Sequence, residues 1–472
     1  MPGAIGLTTG DEAGGSTGAA GGGLRRTLTF RDLIVYGLLF IAPMAPVGIF
    51  GTLQAASHGA ITAVYLVATV AMAFTAYSYA QMVQVAPRAG SVYTYARVGL
   101  GEGAGFVAGW MAMLDYLLIP AVAYLFSGIA MHALVPAVPQ WAWTALAVAV
   151  TTLLNLWGVR VAAVVGFAVL ALEIAVLAVF VGAAVVELAV HGAQRGWAVP
   201  LTGEDGFSVT AVLSAVSVAV LSYLGFDAIA SFAEEAAGGP KRVARAVLAC
   251  LVVAGVLFAV QTYLAALLAP MSAAGLAARP GEQGAAFYAT VDAAVGGWLH
   301  DLVAVSKAVG AAFAALAGQA AAGRLLFAMA RDRRLPGAMS KVDTGSGVPR
   351  RALLGAAQVT LVAAVWAARR ADGLDQLSSI VNVGALTAFA LLHASVIGWF
   401  AVRGRAGTPS VLRHVVVPLL GLAVVLAVIV EASATAQIVG GVWLAVGLVV
   451  LAVRYGARRR ADAGTDGRDG PR

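Results

Sequence analysis

The chain is 472 residues long, 61% hydrophobic and only 11% charged, with a net charge of +7, a mean hydropathy of +0.89 and a single cysteine, Cys250. Soluble globular chains carry about 25% charged residues, so this composition excludes a soluble enzyme, a disulfide scaffold and a nucleic-acid module. Lipid is the solvent that suits most of this sequence. Residues 1–31 read as a disordered cytoplasmic tail, because the first 23 hold nine glycines and no apolar core. Thr29 with Asp32 forms a capping pair for the first helix. Twelve apolar blocks follow, each near the roughly 20 residues that a spanning helix needs. They are predicted at 32–56, 61–85, 101–131, 139–158, 160–190, 207–234, 242–270, 297–329, 350–368, 376–401, 411–430 and 435–455. A basic cytoplasmic tail, 456–472, closes the chain.

Lys and Arg gather in cytoplasmic loops and avoid translocated ones. With the amino terminus inside, the twelve-span map puts 25 of the 30 basic residues on the cytoplasmic side. Four, Arg195, Arg279, Arg369 and Arg370, fall outside, and Lys307 lies within the eighth span. This asymmetry predicts both termini in the cytoplasm. Spans one and six each carry a break. The first holds Ala42-Pro43-Met44-Ala45-Pro46-Val47-Gly48, where two prolines remove backbone donors and crowd the preceding turn. The sixth holds Ser222-Tyr223-Leu224-Gly225-Phe226-Asp227. Broken helices five spans apart predict an inverted 5+5 repeat, 32–190 and 207–401, with a substrate site at the breaks and accessory helices over 411–455. The competing reading is that Pro and Gly are simply commoner in membrane helices.

Three ordered motifs add to this. Ala86-Pro87-Arg88-Ala89-Gly90-Ser91-Val92-Tyr93-Thr94-Tyr95 runs into Gly105-Phe106-Val107-Ala108-Gly109-Trp110. Leu224-Gly225-Phe226-Asp227-Ala228 precedes Glu234-Glu235, and Gly323-Arg324-Leu325-Leu326-Phe327-Ala328-Met329-Ala330-Arg331-Asp332 precedes Leu335-Pro336. Over residues 32–401 these resemble the amino acid, polyamine and organocation superfamily of permeases. Within it, Ala42-Pro43-Met44 and Leu114-Asp115-Tyr116-Leu117-Leu118-Ile119-Pro120 are similar to putrescine importers. The resemblance implies alternating access around a central site, with substrate amines held by carbonyls of Ser222, Tyr223 and Leu224. In amino-acid carriers of the family, amides of the first helix bind the substrate carboxylate. Here Pro46-Val47-Gly48-Ile49-Phe50 stands in that place, and proline has no N–H, so a carboxylate is not expected to be the main recognition handle.

A mid-membrane carboxylate is a functional hypothesis by default. Glu173 lies 13 residues beyond Arg160, roughly 20 Å along a helix, where many amino-acid members of the superfamily carry a lysine. It is the candidate proton-coupling group, against a structural carboxyl. Asp115 with Tyr116 supplies acceptors for an ammonium, which has three donors and no acceptor, against a packing role. Asp227 contacts substrate or holds free amides of the broken helix. Glu234, Glu235, Asp301, Glu431 and Lys307 are expected to be solvated or to snorkel. No Ser or Thr occurs between Lys307 and Met339, and such hydroxyls help to bind sodium in relatives of this architecture, so proton coupling or exchange is expected over sodium symport.

The candidate substrate-binding set is therefore Ala42, Pro43, Ala45, Pro46, Val47, Gly48, Asp115, Tyr116, Ser222, Tyr223, Leu224, Gly225, Phe226 and Asp227, with Glu173 for the proton. The expected molecule is an all-α plasma-membrane transporter importing an amine such as putrescine, with the amine, protons and lipid as partners. It uses no cofactor or metal, binds no nucleic acid and is not an enzyme. An amino-acid permease or amino acid/amine exchanger is the alternative, and a non-transporting membrane sensor the remote one. Gly101, Gly105 and Gly109 form a small-residue stripe that lets another helix approach closely.

Overall fold

The capping box at Thr29 sets the entry to the helical body. Thr29 N donates to Asp32 Oδ2 at 2.8 Å and Asp32 N to Thr29 Oγ1 at 3.3 Å, starting α1 (Phe30–Ile41). The computed structural model describes residues 28–87, 91–157, 159–231, 233, 236–331, 337–341, 349–404 and 410–465. The expected amino-terminal tail through residue 27, Arg88, Glu234, Glu235, Asp332 to Pro336 and the last seven residues lie outside that set. Ala42 precedes Pro43, and a residue before proline is steered away from helical geometry. It adopts a φ of +60°, and the chain resumes as α2 (Ala45–Ala56), bent 47° from α1.

After α3 (Ile61–Val85), the segment expected as a plain loop contains α4 (Ser91–Gly99), which lies against α5 (Glu102–Leu134). The glycine stripe permits this. A Cβ on Gly105 would meet the Arg97 backbone at 2.9 Å, and one on Gly109 the Tyr93 ring at 2.9 Å. Next come α6 (Gln140–Trp157), α7 (Val159–His191), the short α8 (Val199–Thr202) and α9 (Val209–Ala219). Helix α9 tightens into a 3-10 turn, Val220–Tyr223, then opens at Leu224 and Gly225 before α10 (Ala228–Ser231). α11 (Gly239–Leu268) leads to a loop holding α12 (Ala273–Ala277), α13 (Pro280–Gln283) and α14 (Ala286–Ala294). The remainder is α15 (Gly297–Arg331), α16 (Arg350–Ala368), α17 (Gly373–Ile397) with a π-helical end, α18 (Val417–Val430) and α19 (Ala434–Thr465).

Among the described residues, ten helices are long and apolar enough to cross a membrane, and the bent α1–α2 pair makes eleven if it is one span. The block expected at 139–158 is present as α6, 18 residues long, but is too polar to join that group. Its polar side chains bond inward. Thr151 Oγ1 donates to Tyr124 Oη at 2.6 Å, and Asn155 Nδ2 to Gln319 Oε1 and to the Leu316 carbonyl, each at 3.0 Å. The core is built from α5 against α15 and α17, and from α3 against α11. Helix α19 is fixed to α5 by two tryptophans that exchange hydrogen bonds. Trp110 Nε1 donates to the Trp443 carbonyl at 2.8 Å and Trp443 Nε1 to the Trp110 carbonyl at 2.9 Å, with the rings stacked 4.8 Å apart.

Candidate functional site

At and beside each break, buried side chains from other helices bond backbone carbonyls, as buried polar groups require partners. At the first break, Gln261 Nε2 of α11 donates to the Pro43 carbonyl at 2.9 Å, and Lys307 Nζ of α15 to the Met44 carbonyl at 3.0 Å. The amides of the α2 first turn are engaged locally, Ala45 N with Ala42 O at 2.9 Å and Val47 N with Met44 O at 3.1 Å. At the second break, Asn382 Nδ2 of α17 donates to the Ser217 carbonyl at 2.6 Å, and the Ser222 hydroxyl bonds the Tyr65 hydroxyl at 3.0 Å. Gly225 has a φ of +116°, and a Cβ there would meet the Phe40 backbone carbonyl carbon at 2.9 Å. Only glycine lets the second break sit this close to the first.

Between the breaks lies a cavity of about 560 Å3. Of the candidate residues, Ala42, Ala45, Asp115, Tyr116, Ser222, Leu224, Gly225 and Asp227 line it. Pro43, Pro46, Val47, Gly48, Tyr223 and Phe226 do not. Gly48 is turned to Phe126, whose ring a Cβ would meet at 2.5 Å. The Tyr223 hydroxyl is spent on the Tyr65 carbonyl at 3.1 Å and Thr69 Oγ1 at 2.7 Å, and its own carbonyl accepts from Phe226 N at 3.3 Å. Phe226 packs behind the break against Tyr79 and Phe389. Asp227 takes up an amide of the broken helix and lines the cavity. Its Oδ1 accepts from Gly225 N at 3.3 Å and its Oδ2 from Tyr79 Oη at 3.5 Å, while it also faces the cavity. Asp115 Oδ1 is buried without a hydrogen-bond partner.

Glu173 is buried, 3% exposed, but stands outside the cavity wall. Its carboxylate rests on α15, where a Cβ on Gly310 would collide with it. One turn earlier on α15 is Lys307, and here the sequence expectation fails. Lys307 does not snorkel. It is 2% exposed, lines the cavity, bonds Met44 and stands 5.1 Å from the centre of the Phe126 ring. Its stem lies within the protein because α15 is packed by α5 and α7 and meets α1. A lysine ten residues inside an apolar block was the signal. The same wall continues along α15 in small residues, Ala311, Ala314, Ala315 and Gly318, which leave the space that larger side chains would fill.

The family model for amino acid permeases matches residues 33–436. The low-affinity putrescine importer PlaP of Escherichia coli strain K12 is 28% identical over 439 residues, covering 91% of this chain and 93% of its own length. The branched-chain amino acid permease BcaP of Lactococcus lactis subsp. cremoris is 28% identical over 469 residues, covering 92% and 95%. A methylthioribose transporter of Bacillus subtilis is 28% identical over 399 residues, covering 79% and 81%. A long run of apolar helices, two facing breaks and a cavity between them are the parts a carrier needs, and the chain belongs to the amino acid permease family, as a multi-pass membrane transporter and not an enzyme.

Proposed function

We propose that the chain imports a small amine, a polyamine such as putrescine, across the plasma membrane by alternating access, driven by protons. The observation that carries this reading is the unpartnered Asp115 Oδ1 on a cavity that Asp227 also faces. A buried acceptor left empty costs about 1–3 kcal/mol, and an ammonium supplies the missing donor. The first break supports it from the other side. With Ala45 and Val47 amides bonded locally and Pro46 lacking one, the nest that would hold a carboxylate is depleted. PlaP, similar over nine-tenths of both chains, is named as a putrescine importer. Glu173 is the proposed proton carrier. A tethered ammonium on the span-one carbonyl, with no hydroxyl on α15 beyond it, favours protons or exchange over sodium. The architecture that goes with this reading is twelve spans, α6 among them, in a 5+5 inverted repeat with both termini cytoplasmic.

Lys307 favours a second reading, an amino-acid permease or exchanger, because its ammonium offers a carboxylate a partner inside the cavity; BcaP is named as a permease for branched-chain amino acids. Uptake of labelled putrescine into proteoliposomes under an inward proton gradient, without sodium, tests the proposal. Accumulation is the expected result. No putrescine uptake, with neutral amino acids accumulated instead, would move the chain to the second reading.

A further inference from the structure

We propose that Lys307 determines which amines this cavity accepts, by setting the greatest length over which a bound chain can carry positive charge. The inference rests on the amine reading above. The cavity carries fixed charges of opposite sign in two places. Asp115 and Asp227 line it part-way along, since its α5 wall continues past Asp115 to Gly109. Near the Phe126 end of that wall, the Lys307 ammonium is held by the Met44 carbonyl at 3.0 Å and by the face of Phe126, 5.1 Å from its centre. Asp115 and Phe126 belong to the same helix, α5, eleven positions apart, which separates the two charged places by about 16 Å along its axis. The wall between them is apolar, formed by Ile119, Val122 and Ala123 of α5 and Ala311 and Ala314 of α15.

A short diamine anchored at Asp115 keeps both ammonium groups near the two acids and lays its methylenes along the alanines. A longer polyamine that extends along this wall brings its far ammonium toward Lys307. That meeting is unfavourable twice over. An ammonium has no acceptor to offer another ammonium, and a low-dielectric wall screens their repulsion poorly. Lys307 is held in place, because its stem is buried and its ammonium bonds the backbone of the first break. Glu173, whose carboxylate rests against Gly310, is not among the lining residues and so presents no acceptor to the bound chain.

A purely structural role for Lys307, bracing the first break, makes a different prediction. It lowers uptake of every substrate alike and leaves selectivity unchanged. The experiment measures uptake of labelled putrescine by the full-length protein in proteoliposomes, in competition with hexamethylenediamine, octamethylenediamine and spermidine. Like-charge repulsion across about 10 Å of protein interior is worth on the order of tenfold in affinity, so the unmodified protein is expected to bind spermidine on the order of tenfold more weakly than putrescine. Lys307→Met should flatten the series, and Lys307→Arg, which keeps the charge, should preserve it. Should Lys307→Met not transport, the same competition is read as binding to purified Lys307→Gln in detergent. A flat series in the unmodified protein, or a series equally steep in the charge-free variants, overturns the inference while leaving amine import standing. Absence of uptake of any amine by the unmodified protein brings down the amine reading and this inference with it.

Discussion

Asp115 and Glu173 are carboxyls well inside spans three and five, and each has a buried oxygen without a hydrogen-bond partner, yet their surroundings divide them. Asp115 lines the cavity, whereas Glu173 is pressed on α15 beside the residue that holds the first break. Asp115→Asn removes a charge-assisted hydrogen bond worth about 1.5–3 kcal/mol, so the apparent affinity for putrescine should fall on the order of tenfold or more while a neutral amino acid, if bound at all, is affected less. Equal loss for both would mark a folding defect. Glu173→Gln keeps the shape and removes the proton site. It is expected to abolish accumulation against a gradient, and normal accumulation by this variant would make Glu173 structural. Both acids were legible in the sequence, since a carboxylate far from any span end has no solvent to explain it. Lys307 stood inside an apolar block but was read as snorkelling, because a long aliphatic stem makes the distance to water look short, and only the packing of α5, α7 and α1 around α15 shows that it stays within the protein.

The broken helices were legible at the level of elements, one through Pro43 and Pro46, the other through Gly225. What the sequence did not reveal is how each break is braced. Gln261, Lys307 and Asn382 sit in different helices far away in the chain, and nothing local links them to the carbonyls they hold. Gly225→Ala places a Cβ against Phe40 and forces an alanine to a φ of +116°. Such strain costs about 1–3 kcal/mol, so both thermal stability in detergent and uptake should fall; an unchanged melting temperature would mean that the break relaxes freely. Trp443→Phe is the contrasting case. It removes one hydrogen bond to Trp110, worth about 1 kcal/mol, at a helix remote from the cavity. Stability should drop with the KM for substrate unchanged, and a shifted KM would tie α19 to the transport site. Helix α4 and the small helices α12 to α14 escaped the sequence reading because their apolar faces are short and their partners are distant helices rather than lipid.

The whole molecule follows from few requirements. Lipid demands that backbone groups be satisfied within the chain, which makes it helical, and transport demands two places where that rule is locally suspended. Those places face each other across one cavity, and two of the residues that bond the backbone there, Lys307 and Asp227, also bring charge to it. The central claim is that this pattern selects a cationic amine and not a carboxylate. The measurement that tests it most directly is uptake of labelled putrescine into proteoliposomes under an inward proton gradient, competed separately by unlabelled putrescine, ornithine and a neutral amino acid. Putrescine and ornithine differ by one carboxylate. The account predicts that putrescine competes well, ornithine poorly and the neutral amino acid not at all. Ornithine competing as well as putrescine, or the neutral amino acid displacing it, would contradict the account and mean that the first break binds a carboxylate despite Pro46.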